Sequence, residues 1–401
     1  MKKIMTMILV ISMLSCGGND DIITPKSPVV NAITTEPIPA GSELIITGEY
    51  LDENSAIILN GEAITPTSIT SSTITITIPE NASSGTLEIE FQQEAYNTEA
   101  FLKILDTDWS VYGASNYFQV EFVSNDVGYA KRREADMHII DKTMDGGNTW
   151  FSILEVPVPS SPMEVASSNV AYIRTTSNTL KKTVDGGLSW QDSELLDLSY
   201  LVEKLFFKNE LEGFILTQKL DESSIFKTVD GGVTWTEILV LDTPTHNIEV
   251  VYQNEDVILL LDRMNNEFIT TENAGENWLI SDANISTTGP ITFDFTNQNE
   301  AWLYVSPLID NPGGLFKTDN QGQTWENLDI PELSESIIKI TILDELRGHV
   351  LTDKGGSLYT NDGGETWALF YLETDDVSAA TSLGSTLHVV SGGELLKKTI
   401  L

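Results

Sequence analysis

KTVDGGVTW, running from Lys227 to Trp235, is one of six related stretches in a chain of 401 residues. KTMDGGNTW ends at Trp150 and KTVDGGLSW at Trp190, while looser copies TTENAGENW, KTDNQGQTW and YTNDGGETW end at Trp278, Trp325 and Trp367. Successive tryptophans are 40, 45, 43, 47 and 42 residues apart. A period of about 40–45 residues is that of one four-stranded propeller blade. Within the unit, an Asp or Asn side chain can bond backbone N–H groups two residues on and fix a turn. Asp145, Asp185, Asp230, Asn273, Asn320 and Asp362 hold that place. The Gly two residues later takes positive φ without steric cost. The Thr before the turn and the Trp after it are predicted on paired strands, with the indole covering apolar neighbours.

The unit resembles the Asp-box (BNR) repeat, S/T-x-D-x-G-x-x-W. That resemblance implies a structural hairpin lock lying away from any ligand face. Around the boxes, residues 106–401 read as a seven-bladed β-propeller. The seventh unit, VSAATSLGSTLHVVSGGELLKKT, has no box and no strand after it. Trp109 is placed as the other repeat tryptophans are, so the strand around it is predicted to close the C-terminal blade beside Leu395 to Thr399. The pattern F-x(5)-G-[YF], carried by Phe122 with Gly128-Tyr129 and by Phe207 with Gly213-Phe214, is also similar to propellers related to photosystem II assembly and stability factors. The basic contact surface of that family has no counterpart among the five arginines here, Arg132, Arg133, Arg174, Arg263 and Arg347.

Before the propeller, residues 27–105 read as short alternating strands broken by turn residues, with Asn60-Gly61 as a hairpin signal. SPVVNAITTEPIPAGSELIITGEYL, ILNGEAI and TITITIP resemble the IPT/TIG immunoglobulin-like domain, which implies an antiparallel sandwich acting as a spacer or contact module. Eleven acids and one base, Lys103, suggest a solvated, projecting stalk. The fold class is therefore all-β throughout.

Residues 1–15 begin with Lys2 and Lys3 followed by an apolar run too short to span a bilayer, the order of an export signal. Met13-Leu14-Ser15-Cys16 resembles a bacterial lipobox, and Cys16 is the only cysteine, so it is predicted to carry a lipid rather than a disulfide. GGNDD at 17–21 resembles the surface-export signal of Bacteroidota lipoproteins, and residues 16–26 read as lipidated Cys and tether. These resemblances imply an outer-membrane lipoprotein facing the cell exterior.

The formal net charge of −38 becomes −40 once Lys2 and Lys3 are removed. Such a chain repels phosphate backbones, so nucleic acid is excluded as a partner. Sialidases also use Asp-box propellers, but their three-arginine carboxylate clamp and Arg-Ile-Pro signature have no counterpart here. A xyloglucanase-like hydrolase would need two acids flanking a cleft, and Glu121, Glu164, Glu203, Glu249 and Asp294 lie on or at the edges of inner strands. They read mainly as residues between blades or at a solvated rim. His138, His246, His349 and His388 lack metal-ligand spacing, so neither metal nor cofactor is predicted. Seven tryptophans, Trp109, Trp150, Trp190, Trp235, Trp278, Trp325 and Trp367, are committed to the hairpin register. Tyr112, Tyr117, Tyr200 and Tyr371 are left as loop aromatics; Tyr117, Tyr200 and Tyr371 are the ligand-face candidates. The sequence therefore favours a monomeric, non-catalytic protein recognising a glycan or protein. An extracellular glycoside hydrolase or an envelope scaffold protein stands as the alternative.

Overall fold

Residues in Glu43–Glu49 alternate strictly between exposed and buried, and Gly85–Phe91 does nearly the same. Period two places Leu44, Ile46, Leu87 and Ile89 on one face of each strand, and these residues join a single buried cluster. Two four-stranded sheets enclose it: Val29–Ala32, Glu43–Glu49, Thr73–Thr77 and Ser68–Ile69 in one, Glu62–Ile64, Ala56–Leu59, Gly85–Phe91 and Tyr96–Leu102 in the other. Asn60 and Gly61 both take positive φ, 51° and 80°, in the hairpin between Ala56–Leu59 and Glu62–Ile64. That is the turn chemistry of a tight two-residue connection.

The computed structural model describes residues 28–400 apart from 35, 52–53, 92–95, 115, 159–162, 176–178, 195–199, 253–255, 287–288, 296–298, 309–311 and 332–334. The export signal, Cys16 and the acidic tract lie outside the described residues. Within them, one 3-10 turn at Thr245–Asn247 is the sole helical element. The fold is all-β.

After the sandwich come seven sheets among the described residues, six of them four-stranded and one, the sixth, carrying two further strands. The first runs Tyr117–Phe122, Gly128–Glu134, Met137–Thr143 and Phe151–Pro157, each strand antiparallel to the next. We number the sheets from this one. Their inner strands begin at Tyr117, Met163, Leu201, Ile248, Ile291, Ile337 and Val377. Seven apolar clusters lie at the seams, each drawing on two successive sheets. The last of these joins Val390 and Leu395 of sheet 7 to Tyr117, Val120 and Phe122 of sheet 1. The ring is thereby closed by the same burial that joins every other pair.

Sheet 7 takes its outer strand from the other end of the region. Ser110–Ala114 pairs antiparallel with Glu394–Thr399, Ser110 opposite Lys397 and Ala114 opposite Glu394. It covers the edge that Glu394–Thr399 would otherwise leave free.

The sandwich is fused to the ring and does not project as a stalk, contrary to the reading from its charge. Ile104–Leu105 pairs in parallel with Ile38–Pro39 on one side and, through Leu105 and Tyr371, with the outer strand Ala368–Tyr371 of sheet 6 on the other. A six-stranded sheet thus runs through both parts. Ser84 N–H donates to the Leu369 carbonyl at 2.6 Å, and Phe370 packs on the sandwich core. Composition could not reveal this contact, because it uses backbone groups and apolar edges rather than the acids.

The next residue, Asp106, is buried. Lys398 Nζ lies 2.7 and 2.8 Å from its two carboxylate oxygens. Tyr359 Oη, Trp109 Nε1 and Ser357 Oγ also donate to it, at 2.8, 3.0 and 3.2 Å. Burial pushes the Asp106 carboxyl up, but the Lys398 ammonium and the hydrogen bonds outweigh it and hold the group below its ordinary range. Removing one member of a buried pair strands the other charge. Asp106→Ala is therefore expected to lower unfolding free energy by about 3–5 kcal/mol in a denaturant titration. Asp108→Ala, whose carboxylate is 78% exposed and 3.5 Å from the same ammonium, is expected to change it little. Equal effects would contradict the assignment.

Candidate functional site

The six boxes connect third and outer strands in sheets 1 to 6. In the third box, Asp230 Oδ1 accepts from the N–H groups of Val233 and Thr234 at 3.0 and 2.9 Å, and Oδ2 accepts from Thr234 Oγ1 at 2.6 Å. Thr228 Oγ1 donates to Asp230 at 2.9 Å and accepts from Gly232 N–H at 2.8 Å. Asp145, Asp185 and Asp362 accept the same pair of bonds from Thr149, Ser189 and Thr366. Asn273 and Asn320 keep the backbone bond, from Asn277 and Thr324, at 2.9 Å each. The side chain therefore reaches the fourth residue on, not the second as a simple Asx turn would. The Thr before it takes the Gly N–H instead. Gly232 stands at φ 85°, where only glycine is unstrained. Hydrogen bonds from the following Ser or Thr hold the Asp185, Asp230 and Asp362 carboxyls down to about 2.

Each box tryptophan stands just before its outer strand, partly buried at a seam. Trp150 and Trp367 donate to Gly147 and Gly364 of their own turns, Trp190 and Trp278 to Ile153 and Ile238 of the preceding sheet. Trp235 and Trp325 leave their indole N–H unpaired. Trp109 differs from all of them, donating to Asp106.

The residues that tie boxes together are lysines. Lys142 Nζ donates to the carbonyls of Ser168 and Gly186 at 2.8 and 3.0 Å, Lys182 to Gly231 at 2.7 Å, and Lys227 to Ala274 at 3.1 Å. Each reaches the turn of the next sheet. Each also lies over an aromatic ring of its own second strand, Tyr129, Tyr172 or Phe214. The signal was in the sequence, as the Lys that opens the KT of the box and the Tyr or Phe of G-[YF].

The inner-strand acids do related work at the channel. Glu164 accepts from Phe207 N–H of the next sheet at 3.0 Å, and Asp294 from Ile342 N–H at 2.6 Å. Glu121 accepts from the Val165 N–H. Glu249 instead pairs with Lys204 of the preceding sheet at 2.7 Å, and Glu203 lies in the field of Arg174. Burial raises Glu121 well above the carboxylate range, with the charge of Glu164 adding to it. Burial lifts Glu164 to about 7, against the pull of the Phe207 N–H. Glu121 and Glu164 are thus brought together, but each gives an oxygen to a seam.

The tyrosine candidates are corrected by their placement. Tyr117 and Tyr371 are strand residues, each 5% exposed, not loop aromatics. Tyr117 donates to Asp141 at 2.8 Å and packs against Trp150, while Tyr371 meets Phe101 and Lys103 at the sandwich junction. Tyr200 packs edge-on against Phe226 with Lys219 over its ring. Tyr112 stands in the closing strand and bonds His388 at 3.1 Å. Tyr117 opens its strand and Tyr371 ends its own, and both sit at seams of the ring.

Two outcomes are expected. Thr228→Val keeps shape but removes the hydroxyl that accepts from the buried Gly232 N–H, which should cost about 1–3 kcal/mol in denaturant. The carboxyls of Glu121 and Glu164 bind protons more tightly folded than unfolded. Their contribution is full below the unfolded value near 4.5 and is lost as pH rises, for Glu164 through about 7. Unfolding free energy measured at pH 5 and pH 8 should therefore fall less in the Glu121→Gln, Glu164→Gln double variant than in the parent. Identical pH slopes would contradict the burial assigned to this pair.

The IPT/TIG domain family matches residues 28–100. Among solved structures, YCF48 from Cyanidioschyzon merolae is 17% identical, with a TM-score of 0.57 over 73% of this chain and 98% of that one. A YCF48 bound to D1 peptide is 16% identical, with a TM-score of 0.59 over 75% and 99%. The search of curated proteins gives no match. The chain thus joins a matched IPT/TIG domain to a propeller of the fold seen in YCF48.

Proposed function

We propose that this chain is a non-catalytic recognition protein of the bacterial surface. A lipid on Cys16 holds it to the outer membrane, and the ring presents a surface to a protein partner. The observation carrying this reading is the use made of the channel acids. Glu121, Glu164 and Asp294 spend oxygens on backbone N–H groups of the adjacent sheet, which is work for holding a ring together rather than for turning over a substrate. A fold of this kind holding a peptide, as in the YCF48 bound to D1 peptide, supports a polypeptide ligand. Fusion of the sandwich to sheet 6 makes the whole assembly a stiff presenting arm.

One observation favours a hydrolase as the second reading. Glu121 and Glu164 are neighbouring carboxyls, both raised by burial, and two carboxyls are the residue type that acid–base chemistry on a glycosidic bond uses. Both readings are separable by incubating the purified chain with peptide and glycan arrays and with soluble polysaccharides. Saturable binding without release of reducing sugar is expected. Hydrolysis abolished by Glu164→Gln would replace recognition with catalysis. For the anchor, Cys16→Ser is expected to abolish labelling by a fatty-acid probe in cells, and persistent labelling would remove the lipid from the proposal. Stable attachment needs more than one acyl chain, so mass spectrometry of the mature N-terminus should show multiple acylation.

A further inference from the structure

The six boxes share their hydrogen bonds but differ at two positions that the turn leaves exposed. These are the residue before the Asp or Asn and the residue three after it. Boxes 4 to 6 carry Glu272 and Glu276, Asp319 and Gln323, Asn361 and Glu365 there. Boxes 2 and 3 carry Val184 with Leu188 and Val229 with Val233, and box 1 has Met144 at the first position. The turn forms equally well with either set, so the fold does not demand apolar side chains here.

These apolar residues are neighbours. The lysine bonds from Lys142 to Gly186 and from Lys182 to Gly231 put boxes 1, 2 and 3 in direct succession. Leu211 joins them, because its carbonyl accepts from Gly231 N–H at 2.7 Å. Met144, Val184, Leu188, Leu211, Val229 and Val233 are between 58% and 90% exposed. Scattered exposed apolar residues need no explanation, but an arc of them confined to three successive boxes does. Interleaved with the arc are the Asp145, Asp185 and Asp230 carboxylates, which their hydrogen bonds keep ionised.

We propose that the box face of sheets 1 to 3 docks a polypeptide segment in which apolar side chains alternate with Lys or Arg. Apolar residues would cover the arc and the basic ones would meet the carboxylates between them. A second copy of this chain fits poorly, since both partners carry a net charge of −38. The proposal rests on the reading that the ring recognises proteins, and adds where and what kind.

The test titrates the full chain into a labelled synthetic peptide of alternating Leu and Lys, beside a Ser and Lys peptide of equal charge. The decisive variant is Leu188→Asn with Val233→Gln, which installs the residues that boxes 1 and 5 already hold there, so folding is preserved. The control, Leu279→Ser with Ile280→Ser, removes two other exposed apolar residues from the outer strand of sheet 4. The expected result is saturable binding of the Leu and Lys peptide, weakened at least tenfold by the box variant and unchanged by the control. The Ser and Lys peptide should bind weakly and indifferently to all three. Equal weakening by box variant and control, or none by either, would overturn the proposal in favour of bulk electrostatics. Self-association of the parent chain abolished by the box variant would overturn it in favour of a second copy. Failure of the Leu and Lys peptide while array polypeptides still bind would sink this face alone; failure of both would sink protein recognition with it.

Discussion

A carboxylate and an ammonium buried together, Asp106 and Lys398, stand where three parts of the chain meet. Two residues before Asp106 begins the Ile104–Leu105 strand that stitches the sandwich to sheet 6. Four residues after it begins the Ser110–Ala114 strand that completes sheet 7. Lys398 belongs to the last strand of the chain, and Tyr359 and Ser357, which also donate to the carboxylate, belong to sheet 6. Each charge is tolerable away from water only while the other is present and well bonded. His349 is buried in the same cluster, its Nε2 2.9 Å from Ser357, and burial holds it neutral with a pKa of about 3. Neighbouring groups of this kind resemble a Ser-His-Asp set by residue type only. Ser357 and His349 are 0% exposed, and Asp106 bonds the Ser, not the His.

Elsewhere the ring is held by an apolar cluster at every seam, with small polar links added at several of them. An apolar cluster, a lysine reaching the next box and an inner-strand acid reaching the next N–H occur in turn. Such links are individually modest, and closure makes them mutually supporting, because every sheet packs against a neighbour on each face. The box Asp is one part of this arrangement. It fixes the hairpin, and the lysine then has a carbonyl to hold.

What the sequence made legible follows from how local each signal is. The box turns are built from nine consecutive residues, so the repeat and the closing strand were readable from period and residue type. The sandwich core was readable from alternation, as in Thr73–Thr77 with its buried Ile74 and Ile76. Asp106 was not, because Ser357, Tyr359 and Lys398 lie 251 to 292 residues away. Nor was the fused sandwich, whose contact is a backbone pairing with no side-chain signature. The tyrosines were misplaced because a strand's last residue and a loop's first look alike in sequence, and only the ring decides that Tyr117 and Tyr371 face a neighbour. The asymmetry between boxes 1–3 and 4–6 lay open in the residue types, yet its meaning needed the exposure and the lysine links that set the boxes side by side.

If the junction at Asp106 governs both ring closure and attachment of the sandwich, the strands on either side of it open together. Native-state hydrogen exchange on the full chain measures this directly. Amides of Ser110–Ala114, Glu394–Thr399 and Ala368–Tyr371 should share one opening free energy with Leu102 and Ile104 at the sandwich boundary, and Asp106→Ala should lower all of them together. Sandwich-boundary amides that exchange independently of Glu394–Thr399, with or without the substitution, would contradict it.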